Sequence, residues 1–440
     1  MKRILLIVIA ALFVLSTMAQ NASRKDIDKH PHLAVISLST YGGPYFFEPI
    51  AKAPKGYKPF YISHYGRHGS RHESRESYIT ELTKIFDKAD EMNLLTAKGK
   101  ELKAHIYKMG AAHKNLYGEL TRIGYEQHKG IARRMYNRFK EVFHRGAAVD
   151  SRSSSYARCI LSMAAFNESL KECNESLKVE MNAADEFQNI IRPSMKFLKD
   201  PRYNSSMILS DEAWVANLNR WLYNVDFSHS IKSIFTDIQP ICELYNISAH
   251  YLMIDIYKRL DAMQNLGWEY RPLIESIYTT DERYAVYLFE NFRWYHRYIG
   301  TNAEGGIERF AAIKGLVEDI ITRADCAIEG KNSAVADLRF GHDYYVLALL
   351  TILNCNEYPS ELKISEVEHL TDVWPGYKIV TMASNLQFVL YRSKKEADIL
   401  VRILENENDI TLPIESTTAP FYKWSDFCNY LHKRMEPFTK

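Results

Sequence analysis

Short apolar runs bounded by turn residues alternate with longer helix-period segments along most of the chain. Phe60-Tyr61-Ile62-Ser63 reads as a strand running into Gly66, and Gly66 and Gly69 bracket the residues after it as a loop. Residues 77–92 and 96–116 follow helical spacing. Thr121 is an N-cap candidate for a helix whose apolar positions recur at Ile131, Met135 and Phe139. Ala147-Ala148-Val149 predicts a second strand, followed by a polar turn through Cys159 and a helix to Phe166. From about 170 to 325 amphipathic helices dominate, and Trp214, Trp221, Trp268 and Trp294 are expected to pack in their core. Strand character returns at Ser333–Phe340, and Gly341-His342-Asp343 leads into a helical run, Tyr344–Leu353. Leu386–Arg392 and Ile399–Leu404 read as a hairpin, and Tyr422–Met435 as a closing helix.

This order predicts an α/β fold, a three-layer α/β core interrupted by a mainly helical inserted cap. The expected boundaries are 20–168 and 326–440 for the core and 169–325 for the cap, after a leader of residues 1–19. Lys2 and Arg3 precede an apolar run, Ile4–Leu15, and the small residues Thr17 and Ala19 suit cleavage after Ala19. A dozen apolar residues fall short of the roughly 20 needed to span a bilayer. The pattern therefore predicts export to the periplasm or medium, with no membrane attachment after cleavage.

Composition narrows the class. Hydrophobic residues make up 46% and charged residues 25%, which suits a packed globular protein rather than a disordered one. Of 56 basic residues only Lys2 and Arg3 fall in the leader, so the mature chain balances its 54 acidic residues. That balance argues against a nucleic-acid partner, which calls for a strong positive field. Six cysteines allow 15 pairings in an exported chain, and spacing does not choose among them.

The candidate chemistry starts at Arg67-His68-Gly69-Ser70-Arg71. Two guanidiniums on a glycine-bracketed loop after a strand can converge on one oxyanion, because the planar fork donates several hydrogen bonds and stays charged. An imidazole between them can attack phosphorus once those charges neutralise the phosphate. The bland reading of such a pentapeptide is a solvated surface turn.

Residues 61–71 resemble the strand and RHGxR signature of the histidine acid phosphatases, the group of acid phosphatases, phytases and multiple inositol polyphosphate phosphatases. Leu120-Thr121-x-x-Gly124-x-x-Gln127 resembles the family's LTxxGxxQ helix start, Ser154–Cys159 its polar turn, and Phe340-Gly341-His342-Asp343 its late His-Asp pair. The resemblance implies a nucleophile, His68, a phosphate cradle of Arg67, Arg71, Arg158 and His342, and a proton donor, Asp343. It implies a phosphomonoester substrate, inositol phosphates such as phytate first, and neither metal nor organic cofactor. An acid role for Asp343 predicts an acidic optimum unless its surroundings raise its pKa. The sequence departs from the family in one place: Glu73 stands where RHGxRxP has proline.

His64, His68 and His72, with His30 and His32, suggest a metal cluster, but Gly66 and Gly69 oppose a helix there and Arg67 and Arg71 would repel a dication. A broad acid or sugar phosphatase is the nearest alternative. A non-catalytic phospholigand-binding protein on the same scaffold would be expected to lose His68 or Asp343, and both are present. Arg75 is a candidate for holding further phosphates.

Overall fold

The computed structural model describes residues 22–42, 49–194, 213–300, 306–363 and 366–438. The leader, with its expected cleavage after Ala19, lies outside the described residues.

Eight strands form one mixed sheet: β1 (Tyr57–Arg67), β2 (Ala148–Ser153), β3 (Lys178–Asn182), β4 (Ala334–Gly341), β5 (Asn385–Ser393), β6 (Leu400–Glu405), β7 (Asn408–Asp409) and β8 (Phe421–Lys423). Their order is β3-β2-β4-β1-β5-β6-β7, with β8 beside β6. The first four are mutually parallel, and β5 runs antiparallel to both β1 and β6. Parallel neighbours need crossovers, and helices supply them. The main helices are α1 (Ser77–Glu91), α2 (Ala97–His113), α3 (Arg122–Arg138), α4 (Ala157–Cys173), α5 (Ala249–Ala262), α6 (Thr280–Tyr298), α7 (Lys314–Ile328), α8 (Asp343–Leu353) and α9 (Trp424–Met435), of which the first seven lie in crossovers.

Alternation along the strands makes three layers. Ile62 on β1 and Ala336, Leu338 and Phe340 on β4 join Ile131, Met135, Met163 and Phe166 of α3 and α4. Tyr61 and Tyr65 point the other way, into a cluster with Leu316 and Ile320 of α7, Val346 and Leu350 of α8, and Phe427 and Leu431 of α9. That second cluster continues without a break into α5 and α6. Ion pairs also tie α7 to the sheet, Arg339 to Asp319 and, partly buried, Arg323 to Asp150 and Asp337.

The predicted strands and helices of both flanks are present, their ends shifted by a few residues. The middle differs in two ways. β3 falls inside the stretch expected to be helical, yet pairs in parallel with β2 from Ala148↔Lys178 to Arg152↔Asn182. Its Lys-Val-Glu-Met-Asn sequence is half polar because the strand is an edge, with one neighbour and little burial. Trp268, expected in the core of the helices, is 39% exposed, whereas Trp294 is buried. All six cysteines are free thiols, Cys159 and Cys355 being buried.

Candidate active site

Three parallel strands end side by side. Arg67, the last residue of β1, pairs with Gly341 at the end of β4, and Phe340 pairs with Ser153 at the end of β2. The carboxyl ends of neighbouring parallel strands are where open α/β sheets place ligands. His68, His342-Asp343 and the turn carrying Arg158 therefore emerge at one place from three distant parts of the sequence.

The loop is fixed by its main chain. His68 N donates to Gly341 O at 2.9 Å, His68 O accepts from Ala383 N at 3.0 Å, and Arg67 N donates to Ser384 O at 2.8 Å. The start of α3 braces the other side. Thr121 caps the helix through Gly124 N, and its own N donates to Ser70 O at 2.9 Å. Gln127 clamps Ser70 from both sides, accepting from Ser70 N at 2.8 Å and donating to Ser70 Oγ at 2.9 Å. A Cβ on Gly69 would lie 2.4 Å from Gly124 O, and one on Gly124 would lie 2.2 Å from Ser70 O. Thr121, Gly124 and Gln127 thus make the socket for the RHGSR loop.

His68 is buried, and its Nδ1 lies 2.9 Å from Gly69 O. A carbonyl oxygen only accepts, so Nδ1 carries the proton and Nε2 keeps its lone pair. Burial, then Arg67, Arg158, His342 and Arg71, hold this imidazole well below its ordinary pKa. It is a neutral imidazole among cations.

The three arginines are held by different devices. Arg67 donates to Ser37 O at 2.7 Å and Thr381 O at 2.9 Å, and meets Asp343 Oδ2 at 2.9 Å. Burial pushes this guanidinium down to about 10 although Asp343 pulls it up. Arg158, in the first turn of α4, lies 4.6 Å from the Tyr156 ring centroid. Arg71 hydrogen-bonds its neighbour's carbonyl, His72 O, at 2.8 Å. Ile36 and Ala383 adopt positive φ (47° and 56°) beside the segments that supply Ser37 O and the Ala383 N–H. Strain of that kind costs about 1–3 kcal/mol per residue and marks backbone held for a purpose.

His342 is the N-cap residue of α8, and Asp343 is that helix's first residue. The His342 ring lies 5.7 Å from that of His68, with Nε2 3.3 Å from Ser154 Oγ. Burial and Arg158 lower its pKa to about 3. Cys159 Sγ stands 3.9 Å from the same nitrogen, but burial raises the thiol to about 12 and keeps it protonated.

All six sequence-predicted site residues converge around His68: Arg67, Arg71, Arg158 and His342 act on its imidazole, and Asp343 pairs with Arg67. The suspected histidine cluster does not converge: His64 packs between Phe166 and Phe340, and His72 turns to His113. A Cβ on Gly66 would sit 2.7 Å from the His64 ring, so this glycine makes room for the imidazole. Arg75 is exposed. Sequence reasoning missed Arg192, whose guanidinium is 5.0 Å from the Tyr156 ring centroid and lowers the His342 pKa. It missed Ser37 and Thr381 as well. Both act through carbonyl oxygens, which leave no mark on residue type.

The chain matches the histidine phosphatase superfamily (branch 2) across residues 66–406. No curated protein matches it significantly by sequence. Among solved structures it is similar to the Bifidobacterium longum multiple inositol polyphosphate phosphatase in complex with inositol hexasulfate. That match has a TM-score of 0.73 and 19% identity, covering 90% of this chain and 97% of the other. It is also similar to the phytase from D. castellii, with a TM-score of 0.62 and 12% identity over 92% of this chain and 85% of the other. The Hafnia alvei phytase apo form follows with 0.53 and 11% over 88% and 99%. With a match spanning well over half its length, this chain belongs to the histidine phosphatase superfamily, branch 2, and is a phosphatase.

Proposed function

We propose that the protein is an exported phosphomonoester hydrolase that acts on inositol phosphates through a covalent phosphohistidine. The observation that carries this reading is the state of His68: Nδ1 is committed to Gly69 O, and Nε2 is free among three guanidiniums. In the first step Nε2 attacks phosphorus and the ester P–O bond breaks. Arg67, Arg71, Arg158 and His342 bind the equatorial oxygens, and Asp343 protonates the departing oxygen. Water then attacks the phosphohistidine, Asp343 takes its proton, and inorganic phosphate leaves. No metal or organic cofactor enters the scheme.

The inositol phosphate substrate is supported by cations beyond the transferring phosphate. Arg293 and Arg297 are one turn apart on α6, and the Nε atoms of both, like that of Arg192, are buried without a hydrogen-bond partner. Tyr298 lies within electrostatic reach of both guanidiniums and of Asp343. Such groups suit a ligand bearing several phosphates. The similar structure bound to inositol hexasulfate points the same way. Export rests on the sequence pattern from Lys2 to Ala19, and no helix among the described residues is long and apolar enough to cross a membrane.

Radiolabelled phytate mixed with excess enzyme and quenched in alkali is expected to leave label on the protein. His68→Ala is expected to remove that label and at least about 10³-fold of turnover. An active His68→Ala ends the mechanism. A sugar monophosphate turned over with kcat/KM above that of phytate ends the substrate assignment.

A further inference from the structure

Glu73 occupies the position where the resemblance leads one to expect proline, two residues beyond Arg71. Its side chain is nearly fully buried, an unfavourable place for a carboxylate unless it is paired. Oε2 accepts from Arg259 Nη1 at 2.6 Å, and Oε1 accepts from Ser74 N at 3.0 Å. The same Oε1 stands 4.0 Å from Arg71 Nη1, a charge contact rather than a hydrogen bond. Glu73 N and O are engaged too, with His113 Nδ1 at 3.4 Å and Gly118 N at 2.7 Å.

Arg259 belongs to α5, almost two hundred residues further along the chain. It cannot follow Arg71, because Nε and Nη2 are tied to Asp255 Oδ1 at 3.0 and 2.9 Å and the guanidinium lies over the Tyr78 ring at 4.3 Å. Arg71, by contrast, has one side-chain hydrogen bond, to His72 O, while Arg67 has two carbonyls and a carboxylate. Among the described residues Glu73 is the carboxylate within 4.0 Å of Arg71, while Asp343 acts on the same guanidinium from further off.

We propose that Glu73 and Arg259 form a positioning pair for the phosphate cradle: Arg259 on α5 fixes the Glu73 carboxylate, and Glu73 fixes the aim of Arg71. Where a proline would stiffen the loop through its own ring, this chain uses an ion pair reaching across to α5. The aim of one phosphate-binding arginine is then set by a helix far from the loop in sequence. This rests on the phosphatase reading of the cleft.

The test uses the full chain with Glu73→Gln, Arg259→Gln, the double variant and Arg259→Lys. Two quantities are read well below the unfolding temperature: the kcat and KM split on a phosphomonoester, and the affinity for inorganic phosphate by calorimetry. Each Gln variant is expected to raise KM and weaken phosphate binding about tenfold, with a much smaller change in kcat. The double variant should be no worse than the poorer single one, and Arg259→Lys should recover most of the loss. Phosphate affinity unchanged in a folded Glu73→Gln, or losses that multiply in the double variant, would overturn the pair. If Glu73→Gln does not fold, Arg259→Gln against Arg259→Lys decides on the same two readouts. A wild-type protein that binds phosphate but hydrolyses nothing would remove the hydrolase reading and leave the binding comparison decisive.

Discussion

On the sheet side of the cleft, the cradle is held by backbone. Gly69 lies against Gly124, the main chain of residues 67–70 bonds to Gly341, Ala383, Ser384 and Thr121, and Gln127 closes on Ser70. On the far side, α5 and α6 contribute side-chain charges that hold one another: Lys258 and Arg293 on Glu290, and Arg259 on Glu73 and Asp255. A socket held mainly by backbone has little slack, since most of its members cannot rotate away. A side-chain network can reform around a changed member. Substitutions in the socket should therefore stop the chemistry, and substitutions opposite it should retune which phosphoesters are handled.

The sharpest way to break that contrast is Gly124→Ala. In an ordinary helix this change stabilises by up to about 1 kcal/mol. Here the new methyl would meet Ser70 O at 2.2 Å, and that carbonyl is already bonded to Thr121. Expected are a stability loss of about 1–3 kcal/mol and an activity loss of about 10²-fold from the displaced loop. Gly315→Ala on α7 is the control, because nothing lies within 4 Å of its Cβ position. It should be neutral or stabilising. Thermal unfolding and kcat/KM of the two variants check the pair, and equal behaviour would erase the distinction.

The same difference explains what was legible in the sequence. A backbone socket demands fixed residue types at fixed short spacings, so RHGSR and LTxxGxxQ stand out. β1 and β4 were legible because strands buried on both faces read as apolar runs, whereas β2, buried on alternate residues only, showed in little more than Ala147–Val149. Arg259 and Glu73 were not, because an ion pair between distant segments needs no local pattern. β3 was hidden by its edge position, which leaves its sequence half polar. Trp268 departs from expectation because an aromatic ring need not be buried, and this indole remains partly in solvent.

Arg297→Ala probes the far side directly. Arg297 has a cation–π contact with Tyr298 at 5.3 Å, and its Nε is buried without a hydrogen-bond partner. Burial and the neighbouring Arg293 lower its pKa, a sign of a cation set where an anion is favoured. The expected result is a KM for phytate raised about tenfold, the value of one charge-assisted contact. For a sugar monophosphate, which carries no second phosphate to reach α6, KM should move far less. Equal shifts on both substrates would mean that Arg297 serves the fold rather than the ligand.

The smallest expected effect is on the acid side of the rate profile. His68 is held well below the ordinary imidazole pKa, so it stays neutral where a free histidine would protonate. kcat/KM should show no fall with an apparent pKa near 6.5 as pH is lowered, and a fall there would place the His68 imidazole in a wetter setting. Stability moves the other way. His64, His128 and His342 are each lowered to about 3, by burial above all. Their unfolded forms take up protons below about 6.5 while the folded forms do not, so stability present above that pH is lost as pH falls toward 3. Glu73, lowered to about 2 by Arg259 and Arg71 against the opposing effect of burial, keeps its charge across this window and holds the loop throughout. Acid should therefore lower the melting temperature well before it lowers the rate of the folded enzyme, because the groups that resist protonation in the core are buried imidazoles like His68.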